Sequence, residues 1–167
     1  LPEGMGAGFF RTLRYSPDRK TVDFAPGITL TLRPFLGAMA VAPKPGEVRQ
    51  PAIPDYFAGN MDNRELVAGS SLFVPVNVEG ALFMAADAHG LQGDGEVSCL
   101  ACETYFEEVE LEFVVRRDMT LERPMAETPT HWIVMGFHAD LDEAMKIATG
   151  DAIAFLMATK GLTRTEA

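Results

Sequence analysis

At 167 residues, with 47% apolar and 23% charged side chains, the chain is long enough for one domain with a core of its own. Its formal net charge of -10 argues against nucleic acid and against an anionic membrane surface, since both select lysine and arginine. No apolar run is long enough to span a bilayer, and no basic start leads into the apolar stretch that marks a signal peptide.

Short strands are predicted first, over residues 9–15, 21–24 and 28–33, with Ser16-Pro17-Asp18 and Pro26-Gly27 as turns. Residues 35–41 are apolar between Pro34 and Pro43 and read as a short buried strand. Pro43, Pro45, Pro51 and Pro54 rule out a regular element over residues 43–59, which are expected to form a long loop. Asp62, three residues before Glu65, resembles a capping box opening one or two turns over residues 63–68.

Strands follow over residues 71–76 and 81–86, separated by a turn at Glu79-Gly80, and another over residues 96–103. Residues 105–115 alternate with period two, Phe106, Val109, Leu111, Phe113 and Val115 being apolar and Glu108, Glu110 and Glu112 acidic. This pattern predicts a strand with one buried and one solvated face. A further strand is expected over residues 130–137. The one helix spans residues 141–160, with Leu141, Ala144, Met145, Ala148, Ala152, Phe155 and Leu156 at three- and four-residue steps. Asp140 and Glu143 mark its start and Gly161 its end. The fold class is therefore mainly β with one long C-terminal helix, a β-sandwich or barrel-like sheet packed by that helix.

Chemistry concentrates in residues 87–96, where Asp87, His89, Asp94 and Glu96 fall among three glycines at the end of an apolar strand. Residues two apart in a strand share a face, so Asp87 pairs with His89, and Asp94 pairs with Glu96. A hairpin would bring the pairs together. Carboxylates crowded in this way repel unless a cation holds them. Mixed nitrogen and oxygen ligands suit zinc, manganese or iron better than calcium. Gly-Asp-Gly is also an ordinary turn, and spacing alone leaves both readings open.

Other candidates carry less. His131 precedes Trp132 in an expected strand and reads as structural, and His138 lies just before the helix cap. Gly69-Ser70-Ser71 has no histidine or lysine nearby to activate a serine. Cys99 and Cys102 read as two reduced core thiols and point to a cytoplasmic protein. Leu1 is no initiator methionine, and Thr163-Arg164-Thr165-Glu166 spells a capping box without its helix, so the chain is expected to be part of a longer polypeptide.

Several blocks occur in a definite order: Gly59-Asn60-Met61-Asp62, Leu66-Val67-Ala68-Gly69-Ser70, Val74-Pro75-Val76, Asp87-Ala88-His89 and Gln92-Gly93-Asp94-Gly95-Glu96. Arg33-Pro34-Phe35-Leu36-Gly37 upstream and Ala126-Glu127-Thr128-Pro129-Thr130-His131-Trp132 downstream extend the series. Together they resemble the acetamidase/formamidase family over nearly the whole chain. The resemblance implies a single domain over residues 1–167, central to C-terminal in a longer protein. It also implies a homo-oligomer that hydrolyses short linear amides such as formamide and acetamide by metal-activated water.

Carried over by position, the family blocks match Asp62, Asp87, His89, Asp94 and Glu96; dividing the roles among them is our own inference, with Asp62, Asp87 and His89 as metal ligands, zinc first and calcium, manganese or iron also compatible. Asp62 thereby becomes a site residue before a helix cap. Glu96 becomes the acid/base, Asp94 a ligand or an orienter of His89, and the backbone N–H groups near Gly59 and Asn60 the oxyanion donors. Ser98-Cys99-Leu100-Ala101-Cys102 departs from the family pattern, where small residues and a single cysteine are more typical. Two rival readings are a cupin-like metal oxygenase or isomerase, which needs a second histidine motif downstream, and a non-catalytic amide-binding module.

Overall fold

The computed structural model describes residues 10–167. Strands β1 (Thr21–Ala25) and β2 (Ile28–Thr31) form an antiparallel pair joined at Gly27, whose φ of 77° favours glycine. Strand β3 (Phe35–Ala40) is the apolar run between the prolines, and almost every residue in it is buried. It lies inside a four-stranded sheet in the order β4-β3-β6-β7, with β4 at Ala58–Asn60, β6 at Met84–Gln92 and β7 at Ala101–Glu103. A third sheet holds β5 (Ser71–Phe73), β8 (Met125–Glu127) and β9 (Trp132–Val134) in the order β5-β8-β9. All registered pairs are antiparallel, and no closed barrel forms among the described residues.

The core lies between the second and third sheets. Met39, Leu66 and Ala126 pack together with Leu36, Met61, Leu72 and Ile133 around them. Ala40, Val41 and Phe57 make a second cluster, and Phe83 touches both. Helix α1 (Leu141–Lys160) follows as predicted. The Asp140 carboxylate accepts from the N–H groups of Asp142 and Glu143, and Gly161 closes the helix at φ 66°. The reciprocal bond of a capping box is absent, because the Asp140 N–H goes to Nδ1 of His138 instead. Phe155 packs on Trp132 with ring centroids 4.8 Å apart, and Arg123 grips Asp151 through two bonds of 2.6 and 2.8 Å. At Gly136 a Cβ would lie 2.1 Å from the Ala144 carbonyl, so only glycine lets the chain pass the helix this closely.

Several expectations need correction. Phe9 lies outside the described residues, and residues 10–14 form no strand; Tyr15 makes a single bridge to Val22. The predicted strand over 81–86 begins later and runs further, because Ala81 and Leu82 adopt φ of 54° and 52° in a turn. Asp87 and His89 lie in its continuation, as their pairing on one face requires, and the strand runs on to Gln92. Only Ala101–Glu103 of the strand predicted over 96–103 is paired. Residues 63–68 form turns rather than a helix, and β8 is absent from the expected strands. The strand predicted over 105–115 does not form. Its apolar side chains stay open, Tyr105, Phe113 and Val115 being 75%, 69% and 74% exposed, although Phe113 meets Phe83 edge-on at 5.0 Å. Alternation alone does not make a strand when no neighbouring backbone pairs with it. Cys102 is half-buried and its thiol is pushed up by burial, but Cys99 is exposed, so the two are free thiols without being a core pair.

Candidate metal centre

His89 stands on β6 opposite Phe35 of β3 on one side and Glu103 of β7 on the other. The Phe35 ring meets the imidazole edge-on at 5.2 Å and helps to bury it, leaving 1% exposed. Asp87, two residues earlier on the same strand, shares its face, as strand alternation requires. Asp87 Oδ1 lies 3.3 Å from His89 Nε2, and Glu103 Oε1 lies 3.2 Å from the same nitrogen. Asp62 arrives from the turn after β4 and places Oδ1 3.9 Å from His89 Nδ1. Glu96 comes from the short 3-10 turn Asp94–Glu96. Two overlapping ligand sets result, Asp62 with Asp87 and His89, and Glu96 with Glu103 and His89, each with its atoms within 4.8 Å of one another.

Gly37 on β3 is the floor under this cluster. A Cβ there would lie 2.5 Å from Asp87 Oδ2 and 2.7 Å from Asp62 Oδ1, so the carboxylates occupy the space a side chain would take. The Gly37 carbonyl also accepts the N–H groups of Met61 and Asp62, both at 3.1 Å, which ties the Asp62 turn to the sheet. Asp62, Asp87 and Glu96 all have positive φ, at 47°, 64° and 43°. A left-handed backbone costs an L-residue about 1–2 kcal/mol, so the surrounding packing imposes it at three carboxylates of one cluster.

The hydrogen bonds determine the state of the imidazole. Gln92 Nε2 donates to the backbone carbonyl of Asp62 at 2.8 Å, and a carbonyl only accepts, so the amide has one orientation. Its Oε1 then faces His89 Nδ1 at 2.9 Å, and Nδ1 must carry the proton. In the neutral ring Nε2 is left with a lone pair. Among the described residues, buried Nε2 and buried Asp62 Oδ1 are both without a hydrogen-bond partner, although carboxylate oxygens stand close to the nitrogen. A lone pair turned on carboxylates is relieved by a proton or by a cation between them, and this mixed nitrogen and oxygen set fits a divalent metal ion. Burial, reinforced by the neighbouring Glu96 and Asp87, pushes the Asp62 carboxyl from 3.8 up to about 6.

The remaining expected site residues fall elsewhere. Asp94 turns to solvent with its side chain 92% exposed and ion-pairs with Arg64 at 3.4 Å; the contact to His89 Nδ1 belongs to Gln92. The Asn60 N–H donates to the Pro51 carbonyl at 2.7 Å, and with those of Met61 and Asp62 bound to Gly37, these backbone donors are engaged within the fold. Gly59, at φ 124°, is required by Pro51, whose carbonyl would lie 2.7 Å from a Cβ. The Asn60 side chain instead holds Asp62 Oδ2 at 2.8 Å. Asn63, rather than Asp62, caps the next turn by accepting from the Glu65 N–H at 3.1 Å. His131 and His138 are exposed and bonded locally, so neither supplies the second motif of a cupin-like site. Gly37, Gln92 and Glu103 carry no role in the sequence reading; hairpin register from His89 would have found Glu103. The long open trough between β5 and residues 104–121 contains none of the cluster's residues.

The Acetamidase/Formamidase family model matches residues 46–134, more than half of the chain and every member of the cluster except its Gly37 floor. An acetamidase of Mycolicibacterium smegmatis is 48% identical over 51 residues, which are 30% of this chain and 13% of that protein. The crystal structure of an acetamidase from Yersinia enterocolitica matches with a TM-score of 0.80 and 26% identity, over 93% of this chain and 46% of that one. An acetamidase from Bacillus halodurans matches with a TM-score of 0.74 and 28% identity, over 88% of this chain and 49% of that one. The chain spans about half the length of these solved relatives.

Proposed function

The chain belongs to the acetamidase/formamidase family, and on that premise we propose that it carries the hydrolytic centre of an enzyme that splits short linear amides, formamide and acetamide among them, into a carboxylate and ammonia. The observation that carries the proposal is the pair of orphaned buried atoms, His89 Nε2 beside the carboxylates of Asp87 and Glu103, and Asp62 Oδ1. Asp62, Asp87 and His89 would hold a divalent cation, zinc being favoured by the mixed donor set, and Glu103 closes the ring from the facing strand. When bound, such an ion polarises an amide carbonyl and makes water more acidic.

The chain's own residues divide the rest of the work. Asn60 and Gly37 hold the Asp62 turn in place. Glu96, half-buried beside Asp62, takes a proton from the attacking water and returns it to the amide nitrogen. The water oxygen bonds to the carbonyl carbon, the carbon–nitrogen bond breaks with its electron pair on nitrogen, and ammonia leaves. Asp94 stays outside the cluster and takes no part in these steps. No helix among the described residues is long and apolar enough to cross a membrane. Two free thiols fit a reducing compartment, here the cytoplasm, and the open apolar side chains of residues 105–115 fit self-association.

Metal analysis of the chain, paired with ammonia release from formamide, acetamide and propionamide, tests the proposal. Glu96→Gln should keep the metal and lose turnover by about 10²–10⁴-fold. Full turnover in that variant removes Glu96 from its role, and a chain with neither metal nor ammonia release ends the amidase assignment.

A further inference from the structure

Gln92 is a buried polar residue, 3% exposed, three positions after His89. Strict alternation would put residues an odd number apart on opposite faces of β6. The register between β6 and β7 shifts between His89 and Gln92, and this irregularity swings the glutamine back onto the histidine's face. There its amide is used at both ends, donating to the Asp62 carbonyl at 2.8 Å and accepting from His89 Nδ1 at 2.9 Å. One side chain thereby ties together two elements 27 residues apart in the chain, the Asp62 turn and the His89 strand.

We infer that Gln92 is a positioning residue that locks His89 in the Nδ1–H tautomer and clamps it to the Asp62 backbone, so that both ligands face a divalent cation already aligned. The inference rests on the assignment of His89 as a cation ligand. Without Gln92 the imidazole is free to exchange its proton between the two nitrogens, and half of the resulting states point a proton at the cation. A partner that orients a metal-binding histidine is typically worth about 10–100-fold in metal affinity.

The test uses the whole 167-residue chain with nitrogen-15 histidine. In the metal-free protein, at a pH where the ring is neutral, the His89 proton should reside on Nδ1. Gln92→Leu should let the tautomers mix and weaken Zn2+ binding by about 10–100-fold. Gln92→Glu keeps an acceptor for the Nδ1 proton but opposes a carboxylate to the Asp62 carbonyl, so it should keep the tautomer and lose part of the affinity. A wild-type proton on Nε2 overturns the inference, as does Gln92→Leu with tautomer and affinity unchanged. If Gln92→Leu does not fold, the wild-type spectrum and Gln92→Glu still decide. A tautomer that depends on Gln92 in a chain that binds no Zn2+ upholds the lock and overturns the cation assignment. Zn2+ binding indifferent to Gln92 overturns the claim that the lock aligns the ligands for the cation.

Discussion

Two groups of acidic residues share this chain and have opposite fates. Glu108, Glu110 and Glu112 lie on a segment of regular sequence alternation, are exposed, and form no ladder with any of the described residues. Asp62, Asp87, Glu96 and Glu103 come from four separate places, three of them at strained positive φ, and close around one buried imidazole. The first group carries the stronger pattern and the second carries the chemistry. Water screens charges that remain in it, whereas burial makes each neighbour count. What distinguishes the groups is the backbone each is mounted on. The cluster hangs from a β3–β6 pair that is hydrogen-bonded on both sides, and residues 105–115 have no such partner among the described residues.

The comparison is broken most directly at Gly37. Gly37→Ala forces a Cβ into the space of Asp87 Oδ2 and Asp62 Oδ1, so the ligand atoms must move apart. Titration calorimetry should show Zn2+ binding lost, and denaturant unfolding should show about 1–3 kcal/mol of destabilisation from overpacking. Retained binding would mean that the two carboxylates do not act as a pair.

A smaller effect comes from pH. The folded pKa of Asp62, about 6, lies above its ordinary 3.8, so between those values the folded chain holds a proton that the unfolded chain has released. Stability from this group is present at low pH and falls as pH rises through about 6. Thermal unfolding of the metal-free chain should therefore lose ground against Asp62→Asn between about pH 4 and pH 6, and added Zn2+ should restore it at the upper end. Parallel profiles for the two proteins would remove the electrostatic crowding at Asp62.

The smallest effect belongs to the other group. Changing Glu108, Glu110 and Glu112 together to Gln should alter unfolding free energy by less than about 0.5 kcal/mol and leave Zn2+ content unchanged. A loss of metal there would erase the distinction between the two acidic regions.

Much of the fold is legible in local sequence. The helix announces itself through Asp140, its apolar spacing and Gly161, and all three depend on neighbours within a few residues. β3 is legible because two prolines bound an unbroken apolar run. The run at 105–115 misleads because periodicity reports which face a strand would bury and says nothing about whether a second strand exists to pair with it. Beyond His89 the glycine-rich sequence carries no strand signal of its own, and pairing with β7 carries β6 on to Gln92. In the cluster, Asp87 and His89 are legible from their spacing, since alternation is a local property. Asp62 needed the resemblance of ordered blocks, because its own neighbourhood reads as a helix cap.

By itself, then, the sequence determined the elements whose signals are local: the capped helix, the buried β3 run, the turns, and an Asp-x-His pair on one face of a strand. It also carried enough ordered blocks to point to the family. Only the tertiary structure decided which distant groups meet that pair. Register set Glu103 opposite His89, the bare Cα of Gly37 made room for two carboxylates, and a shift in pairing turned Gln92 toward the ring. These are contacts between residues far apart in the chain, and they exist only once the backbone hydrogen bonds of the sheet have been assigned.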